Sequence, residues 1–374
     1  MKRIVAIMLS LALGAAFLTG CGSNNANEEE TTKEEVTTAT EADDAEAAST
    51  EEAEASDAEA TTSAPAAGAD DYVDGLGTVE VDKEYNIGFT IFMRDQFLSA
   101  VEAAFAEECE KMGINQVTAD ANGNANTQIN QVQTFASQGV DAIVVNLVST
   151  DNAAQVIEAA NGIPIAFVNR KPEYELEAGL QTFVGSDEYF GGQLQAEFLI
   201  DHYKNSGKDT VKYLMMQGTL GLQNTTQRTN AAMETLEASD INFECIYQDT
   251  AEWDRAKAQN KMQTFLGTGQ EFDFVICNAD EMALGCIEAM KSAGVDFNEH
   301  PVVGIDGLIG GTTAVKNGEM AFTVHQNAVG QGAGAARAAI LMAQGKDVPT
   351  FVEIPFEPVT PENVDIYIDK LTQN

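Results

Sequence analysis

The stretch DAIVVNLV, residues 141–148, joins an unbroken apolar run to an asparagine near its end. A run of this kind is typical of a strand buried on both faces of a parallel sheet. A helix pattern follows at 151–161, and a second apolar run, IPIAFVN, occupies 163–169. Because strands that alternate with helices form parallel, doubly wound sheets, this region predicts an α/β fold.

The same alternation begins upstream of this stretch. The predicted elements there are a strand at 86–92, a helix at 96–112, a strand at 114–120 and a helix at 124–138.

Near residue 186 the pattern starts again. The tripeptide Gln-Thr-Phe recurs at 133–135 and 263–265, and this match aligns Asn124 with Asp254 as helix N-caps. We therefore expect two similar, doubly wound parallel-sheet lobes. The predicted strands of the second lobe are 211–217, 241–249, 272–278 and 300–306, and its helices are 222–238, 254–267 and 280–293.

The C-terminal part predicts a strand at 320–326, a helix at 329–343 and one final strand, TFVEIPFEPVT, at 350–360. These elements would finish one lobe and return to the other, so several chain crossings would form a hinge. The expected domain bounds are 84–185 plus 326–354 for the N-terminal lobe, and 186–325 plus 355–374 for the C-terminal lobe.

The N-terminus predicts export rather than fold. Lys2 and Arg3 precede an apolar segment at 4–18 that is short for a membrane span. The following Leu18-Thr19-Gly20-Cys21 resembles the bacterial lipobox, in which the cysteine is lipidated; an ordinary secretion signal or an uncleaved anchor is the alternative. Residues 22–83 are rich in Glu, Asp, Ala, Thr and Ser, which predicts a disordered acidic tether.

Charge and motif content exclude several functions. The formal net charge of −39 argues against nucleic acid, which needs a basic surface. His202, His300 and His325 have no metal-ligand spacing, and the common hydrolase and nucleotide-binding motifs are missing. The stretch GQGAGAAR (330–337) fails as a dinucleotide fingerprint because no complete βαβ unit with an acidic residue follows it. We expect no catalytic residues, no cofactor and no metal.

The cysteines carry no metal or redox signature, because no CxxC pair occurs. Four buried free thiols are expected beyond Cys21, with a Cys277–Cys286 disulfide as the alternative. The four are Cys109, Cys245, Cys277 and Cys286.

Polar residues close four of the predicted strands, namely Asn146, Asn169, Asn278 and Asp306. Ligands of open α/β sheets bind beyond the carboxyl ends of the strands, so these residues predict a cleft between the lobes. Phe97 and Trp253 follow strands of different lobes, and two such aromatic rings could cover the apolar faces of a sugar. Side chains of Asp, Asn, Gln and Arg could pair with its hydroxyl groups.

Several stretches of the sequence resemble those of a known protein family. From about residue 85 to 370 the chain is similar to the periplasmic sugar-binding proteins of ABC importers, of the class that binds glucose, galactose or ribose. The resemblance implies two lobes of the type I periplasmic binding protein fold. The stretches that carry it are IGFTIFMRDQFLSAV (87–101), QGVDAIVVNLV (138–148), DTAEWDRAKAQNKM (249–262), CNADEMALG (277–285) and VVGIDG (302–307).

The resemblance implies roles for individual positions. Phe97 and Trp253 match the aromatic pair that sandwiches the ring, and Arg228 matches an arginine that grips the ring oxygen and a hydroxyl. Asn169 and Arg170 fall where ribose binders use an Asp-Arg pair. The remaining implied contacts are Asp95, Asn146, Asn224, Asn278, Asp306 and Gln326, while Asp280 is expected to be a cap or a hinge support.

Some positions depart from the glucose/galactose pattern. Leu222 and Asn224 stand where that pattern has a histidine and an aspartate, and Ala279 replaces a cleft asparagine. The calcium loop is missing at 204–212, so no structural calcium is expected. The lost polar partner at Leu222 predicts a deoxy sugar, a pentose or a differently oriented ring.

Together with the lipobox, the resemblance implies an extracytoplasmic, lipid-anchored, monomeric receptor that delivers a monosaccharide to an ABC permease, with a chemoreceptor as a possible second partner. A sensor of a sugar-like signal without transport is the alternative, and a glycan-processing enzyme is a remote one. Sugar-responsive repressors share the lobe pair, but here an anchor and an acidic tether stand in place of a DNA-binding domain.

Overall fold

Strands and helices alternate along the computed structural model, which describes Leu76 and residues 79–372. The strands are β1 (Asn86–Ile91), β2 (Asn115–Asp120), β3 (Ala142–Val145), β4 (Ile165–Val168), β5 (Gln181–Gly185), β6 (Val211–Gln217), β7 (Phe243–Thr250), β8 (Phe274–Cys277), β9 (Val302–Val303), β10 (Thr323–Gln326), β11 (Phe351–Glu353) and β12 (Phe356–Val359). The helices are α1 (Gln96–Met112), α2 (Ala125–Gln138), α3 (Ala153–Ala160), α4 (Glu188–Tyr203), α5 (Gln223–Glu237), α6 (Arg255–Leu266), α7 (Asp280–Ala293), α8 (Ile309–Lys316), α9 (Ala328–Ala343) and α10 (Val364–Thr372).

Two parallel sheets form the centres of two lobes, as the alternation predicts. The first has the strand order β11-β5-β4-β3-β1-β2, and the second has the order β7-β6-β8-β9. Every residue of β3, β4 and β8 is buried, which explains their unbroken apolar sequences. A short antiparallel pair, β10-β12, lies beside the second sheet through single bridges that join Val303 to Phe322 and Asp306 to His325.

Local sequence signals set the helix ends. The side chains of Asn124 and Asp254 accept hydrogen bonds from the backbone N–H groups of Thr127 and Lys257, so both predicted N-caps are confirmed. Helix α1 begins after Asp95 and ends at Gly113, whose φ of 68° suits glycine.

The chain passes between the two sheets after β5, after β10 and after β11. The last passage corrects the prediction of one final strand at 350–360. That run divides into β11 in the first sheet and β12 beside the second, with Ile354 and Pro355 between them. Proline has no N–H to continue a ladder and restricts the residue before it, so the strand breaks there.

The sequence patterns do not predict four of these elements, namely β5, α4, α8 and α10. The folded part also extends slightly further upstream than expected, because Leu76, Val79 and Val81 pack against the core of the first lobe. The predicted signal sequence, Cys21 and nearly all of the predicted tether lie outside the described residues.

Cys109, Cys245, Cys277 and Cys286 are free thiols. Cys109, Cys277 and Cys286 are buried as expected, whereas Cys245 is half-buried because it lies on the edge strand β7. The sulfur atoms of Cys277 and Cys286 lie 4.0 Å apart. Within the described part of the chain, no helix has the length and apolar character needed to cross a membrane.

Candidate functional site

A cavity lies where the carboxyl ends of the strands in the two sheets face each other. Except for Asn146 and Asn278, every site residue predicted from sequence lines it. The first lobe contributes Asp95, Phe97, Asn169 and Arg170, and the second contributes Asn224, Arg228, Trp253 and Asp306, with Gln326 at the end of β10.

Trp253 lies in the turn between β7 and α6 with a left-handed backbone. Its φ is 66°, and that of Glu252 is 54°. The equivalent turn of the first lobe holds Asn122 and Gly123, at φ 50° and 68°. Asparagine and glycine tolerate this conformation, whereas glutamate and tryptophan are strained in it. The second lobe therefore holds its aromatic ring at this position at an energetic cost.

The indole ring of Trp253 packs on Gly218, the residue that follows β6. A β-carbon at Gly218 would lie 2.1 Å from two ring carbons of the indole. The first lobe has the opposite arrangement: Phe92 follows β1, and a β-carbon at Gly123 would lie 3.5 Å from the Phe92 ring. The aromatic residue and the glycine have exchanged places between the lobes.

Asn146 and Asn278 lie behind the cavity wall and hold these strand ends in place. The Asn146 Oδ1 accepts from the Phe92 N–H at 3.2 Å, and its amide nitrogen donates to the Val168 carbonyl at 3.1 Å. The Asn278 Oδ1 accepts from the Gly218 N–H at 3.1 Å and from the Thr229 hydroxyl at 3.1 Å. Both side chains are fully buried. Neither residue lines the cavity, and in this structure both side chains brace the backbone, so their contact with a ligand stays a prediction.

Asp95 is both a cap and a cavity residue. Its Oδ1 accepts from the Leu98 N–H at 2.7 Å, which starts α1, and the side chain also lines the cavity. Burial raises its pKa above the ordinary value, although the Leu98 N–H and the charge of Arg170 oppose this rise.

Arg170 is buried against Phe92. Its guanidinium carbon lies 3.9 Å from the centre of the phenyl ring, and its Nη1 donates to the Leu147 carbonyl at 2.8 Å. Burial lowers the pKa of Arg170 to about 10, opposed by the charge of Asp95. The Nε–H has no partner among the described groups.

Arg228, on α5, joins several parts of the site. Its Nε donates to Glu188 Oε2 at 2.5 Å, its Nη1 to the Asn278 carbonyl at 2.7 Å and its Nη2 to Gln326 Oε1 at 3.2 Å. The Nη1 also lies 3.9 Å from the Asp306 Oδ1. Burial raises the pKa of Glu188, and the neighbouring Arg228 counteracts this effect.

Asn169 and Asn224 are partly engaged with protein groups. The Asn169 amide nitrogen donates to Gln331 Oε1 at 3.2 Å, and the Asn224 Oδ1 accepts from the Thr225 N–H at 3.0 Å.

Three buried donors of the cavity residues lack a partner within the described part of the chain: Trp253 Nε1, Arg170 Nε and Gln326 Nε2. Such donors suit oxygen acceptors of a ligand, because an unpaired buried donor costs about 1–3 kcal/mol.

Sequence reasoning missed part of the wall. Leu308, Gly310 and Gly311 line the cavity as well, and so does Glu281, which makes two hydrogen bonds to Arg255 at 2.9 and 2.8 Å. The sequence signal for Leu308 and the glycines is their position two to five residues after the strand-end residue Asp306. Across residues 79–372, no cluster of His, Cys, Asp and Glu has the arrangement of a metal site.

Taken together, the cavity presents aromatic surface from both lobes, carboxylates at Asp95 and Asp306, and guanidinium groups at Arg170 and Arg228. Asp280 and Glu281 also line it, and Glu281 is paired with Arg255. This combination can hold a neutral, polyhydroxylated ring and offers both donors and acceptors to its hydroxyl groups.

Known proteins resemble this chain in sequence and structure. Residues 88–347 match the periplasmic binding protein domain. A Rhizobium meliloti protein named for rhizopine binding is 35% identical over 256 residues, which cover 67% of this chain and 82% of that protein. The xylitol-binding protein of Mycolicibacterium smegmatis is 30% identical over 286 residues, or 76% of this chain and 79% of that protein.

A solved structure agrees with these matches. The ABC transporter solute-binding protein of Bacillus halodurans, with bound myo-inositol, is 35% identical and has a TM-score of 0.72. The match covers 76% of this chain and 98% of that one. The chain therefore belongs to the periplasmic binding protein family, whose role is to capture a solute outside the cytoplasm and deliver it to an ABC permease.

Proposed function

We propose that this protein binds a neutral polyhydroxylated ring in the cavity between its lobes, as a receptor and not as an enzyme. The carrying observation is the cavity itself, where Phe97 from the first lobe and Trp253 from the second lie with Asp95, Arg170, Arg228 and Asp306. The expected ligands are a hexose, a pentose or a deoxy sugar. The relatives with bound myo-inositol and with a xylitol-binding name extend this range to cyclitols and other polyols.

Ligand contact at Asp95, Phe97, Asn169, Arg170, Asn224, Arg228, Trp253, Asp306 and Gln326 is part of this proposal. All of them line the cavity, and among residues 79–372 no group pairs with Trp253 Nε1, Arg170 Nε or Gln326 Nε2. A ring hydroxyl that accepts from such a donor removes the cost of burying it unpaired. Charge-assisted bonds to Asp95 and Asp306 would be strong once closure of the lobes excludes water.

The mechanism is ligand-stabilised closure. The proposed lobes, residues 84–185 plus 326–354 and 186–325 plus 355–374, are joined by the three chain passages that follow β5, β10 and β11. A ligand that touches both lobes favours the closed form, and the permease would recognise that form.

Calorimetry and thermal shift with a panel of ligands test the proposal. The panel comprises myo-inositol, xylitol, D-ribose, 2-deoxy-D-ribose and D-galactose. At least one should bind with a Kd near the micromolar range, about −8 kcal/mol, and emerge chemically unchanged after incubation. If no member of the panel raises Tm at about 10 mM, the proposed ligand class is wrong, since binding stabilises the folded state by mass action.

We also propose that Cys21 carries a lipid and that residues 22–83 tether a monomeric receptor to the outer face of the cell membrane. The support is the sequence Leu18-Thr19-Gly20-Cys21 after an apolar segment, together with the acidic composition that follows. Cys21→Ser should move the protein from the membrane fraction to the soluble fraction, while Cys245→Ser should not. Retention of both variants in the membrane would contradict the anchor.

A further inference from the structure

Asp306 has an unusual backbone conformation for a residue with a side chain. Its φ is 135°, in a region that L-residues rarely adopt, and the residue is only 7% exposed. Strain of this kind persists where the surrounding structure holds it, and it concentrates at functional sites. The carboxylate of Asp306 lies 3.9 Å from the Arg228 guanidinium, within the cavity wall.

Backbone hydrogen bonds hold both sides of Asp306. Its N–H donates to the Val324 carbonyl at 2.9 Å, and its carbonyl accepts from the Gln326 N–H at 2.9 Å. The next residue, Gly307, has φ 62° and donates its N–H to the Asp280 Oδ2 at 2.9 Å. The other Asp280 oxygen accepts from the Thr323 hydroxyl at 2.6 Å.

The structure leaves room for the Asp280 carboxylate at two glycines. A β-carbon at Gly304 would lie 2.1 Å from its Oδ1, and one at Gly311 would lie 1.8 Å from its Oδ2. Only 3% of Asp280 is exposed, and its two oxygens accept from the Gly307 N–H and the Thr323 hydroxyl. Burial accordingly raises the pKa of Asp280 to about 7, and the raised pKa of Asp306 has burial as its main cause and the charge of Asp280 as a second. Because burial of this carboxyl group destabilises its charged form, we expect the Asp280 side chain to have a specific structural function.

We propose that Asp280 is the positioning residue that holds Asp306 in its strained conformation, with the Asp306 carboxylate turned towards Arg228 and the cavity. Asp280 begins α7, Gly307 follows Asp306, and Thr323 lies on β10, so one carboxyl group ties three segments together around the strained residue. The expected effect of Asp280 on ligand affinity rests on the proposed function. Its effect on the backbone conformation of Asp306 does not.

The hold can be tested without a ligand, by thermal unfolding of a set of variants. Asp306→Gly and Asp306→Ala both remove the carboxylate, but only alanine keeps the strain of a β-carbon at this φ. We expect Asp306→Gly to melt at least about 2 °C above Asp306→Ala, the reverse of the usual order. Asp280→Ala should then lower Tm less when combined with Asp306→Ala than when combined with Asp306→Gly, because loss of the hold lets a strained alanine relax, whereas glycine has no strain to release.

Thr323→Val removes only one donor to Asp280 and serves as a milder probe if a chain with Asp280→Ala does not fold. The loss of Tm that it causes should depend on the residue at position 306 in the same way. Equal losses of Tm in both backgrounds would overturn the proposal, because Asp280 would then support the loop without acting on Asp306.

Binding supplies the second readout, with myo-inositol as the probe. Asp280→Asn keeps one acceptor for Gly307 and gains a donor for Thr323 Oγ1, so its Kd should stay within about threefold of the wild-type value. Asp280→Ala should weaken binding at least tenfold. Equal affinity of the two variants would contradict the positioning role. If the wild type does not bind myo-inositol, that choice of ligand fails, and the unfolding experiment still decides the role of Asp280.

Discussion

Trp253 and Gly123 occupy equivalent turns of the two lobes, and their φ angles are 66° and 68°. Each turn precedes a capped helix, because Asn124 and Asp254 come next and accept backbone N–H groups in the same way. The turn demands a left-handed residue in both lobes, so the tryptophan is retained against a backbone preference. Its place at the polar start of a helix is explained by the cavity that it lines.

Replacement of Trp253 should separate this strain from binding. Trp253→Gly and Trp253→Ala both remove the indole and should weaken ligand binding at least tenfold, or about 1.4 kcal/mol, by calorimetry. Because φ is positive, we expect Trp253→Gly to be more stable than Trp253→Ala by about 1 kcal/mol in urea unfolding. Unchanged affinity in both variants would exclude ring stacking by Trp253.

Gly218→Ala should displace the indole. The new methyl group would lie 2.1 Å from two ring carbons, so the ring must move and affinity should fall at least tenfold. The double variant with Trp253→Ala should bind no more weakly than Trp253→Ala alone, because both changes act through one side chain. Gly267→Ala, at the end of α6 and away from the cavity wall, is the matched control. Additive losses in the double variant would refute this coupling.

Glu188→Gln should destabilise the fold strongly. Arg228 and Glu188 form a buried ion pair with side-chain exposures of 3% and 1%. Removing one charge leaves the other buried, at a cost of about 3 kcal/mol or more in the free energy of unfolding. The control is Glu107→Gln in the exposed Lys111–Glu107 pair, at 63% and 64% exposure, which should change stability by less than about 1 kcal/mol. Similar effects of the two substitutions would contradict this account.

His325 should make the protein acid-sensitive. Burial lowers its pKa from 6.5 to about 4, although its contact with the Gly307 carbonyl opposes this. Between these two values the unfolded chain binds the proton and the folded chain does not. Stability is therefore lost as pH falls from about 6.5 to about 4, by about 3 kcal/mol in total. His325→Gln should reduce the fall in Tm across this range, measured against the wild type. An identical fall in both proteins would contradict this account, because protonation of His325 would then contribute nothing to the pH dependence of stability.

Short-range signals predict much of the fold. The unbroken apolar strands, the N-caps Asn124 and Asp254, and the two alternating halves all follow from the residues at each element, because periodicity and capping act over one or two turns. Asp95, Asn169 and Asp306 could be placed at the cavity for the same reason, since strand ends in an open sheet meet at one edge.

Long-range packing decided the rest. The sequence alone determined two α/β lobes with polar strand ends, but it could not distinguish Asn146 and Asn278, which brace the backbone, from Asn169, which lines the cavity. It could not divide the final strand between two sheets, because strand pairing depends on partners far along the chain. Only the tertiary structure brings Gly218 under Trp253 and the Asp280 carboxylate to the Gly307 N–H, because both contacts join residues that the chain separates by more than 20 positions.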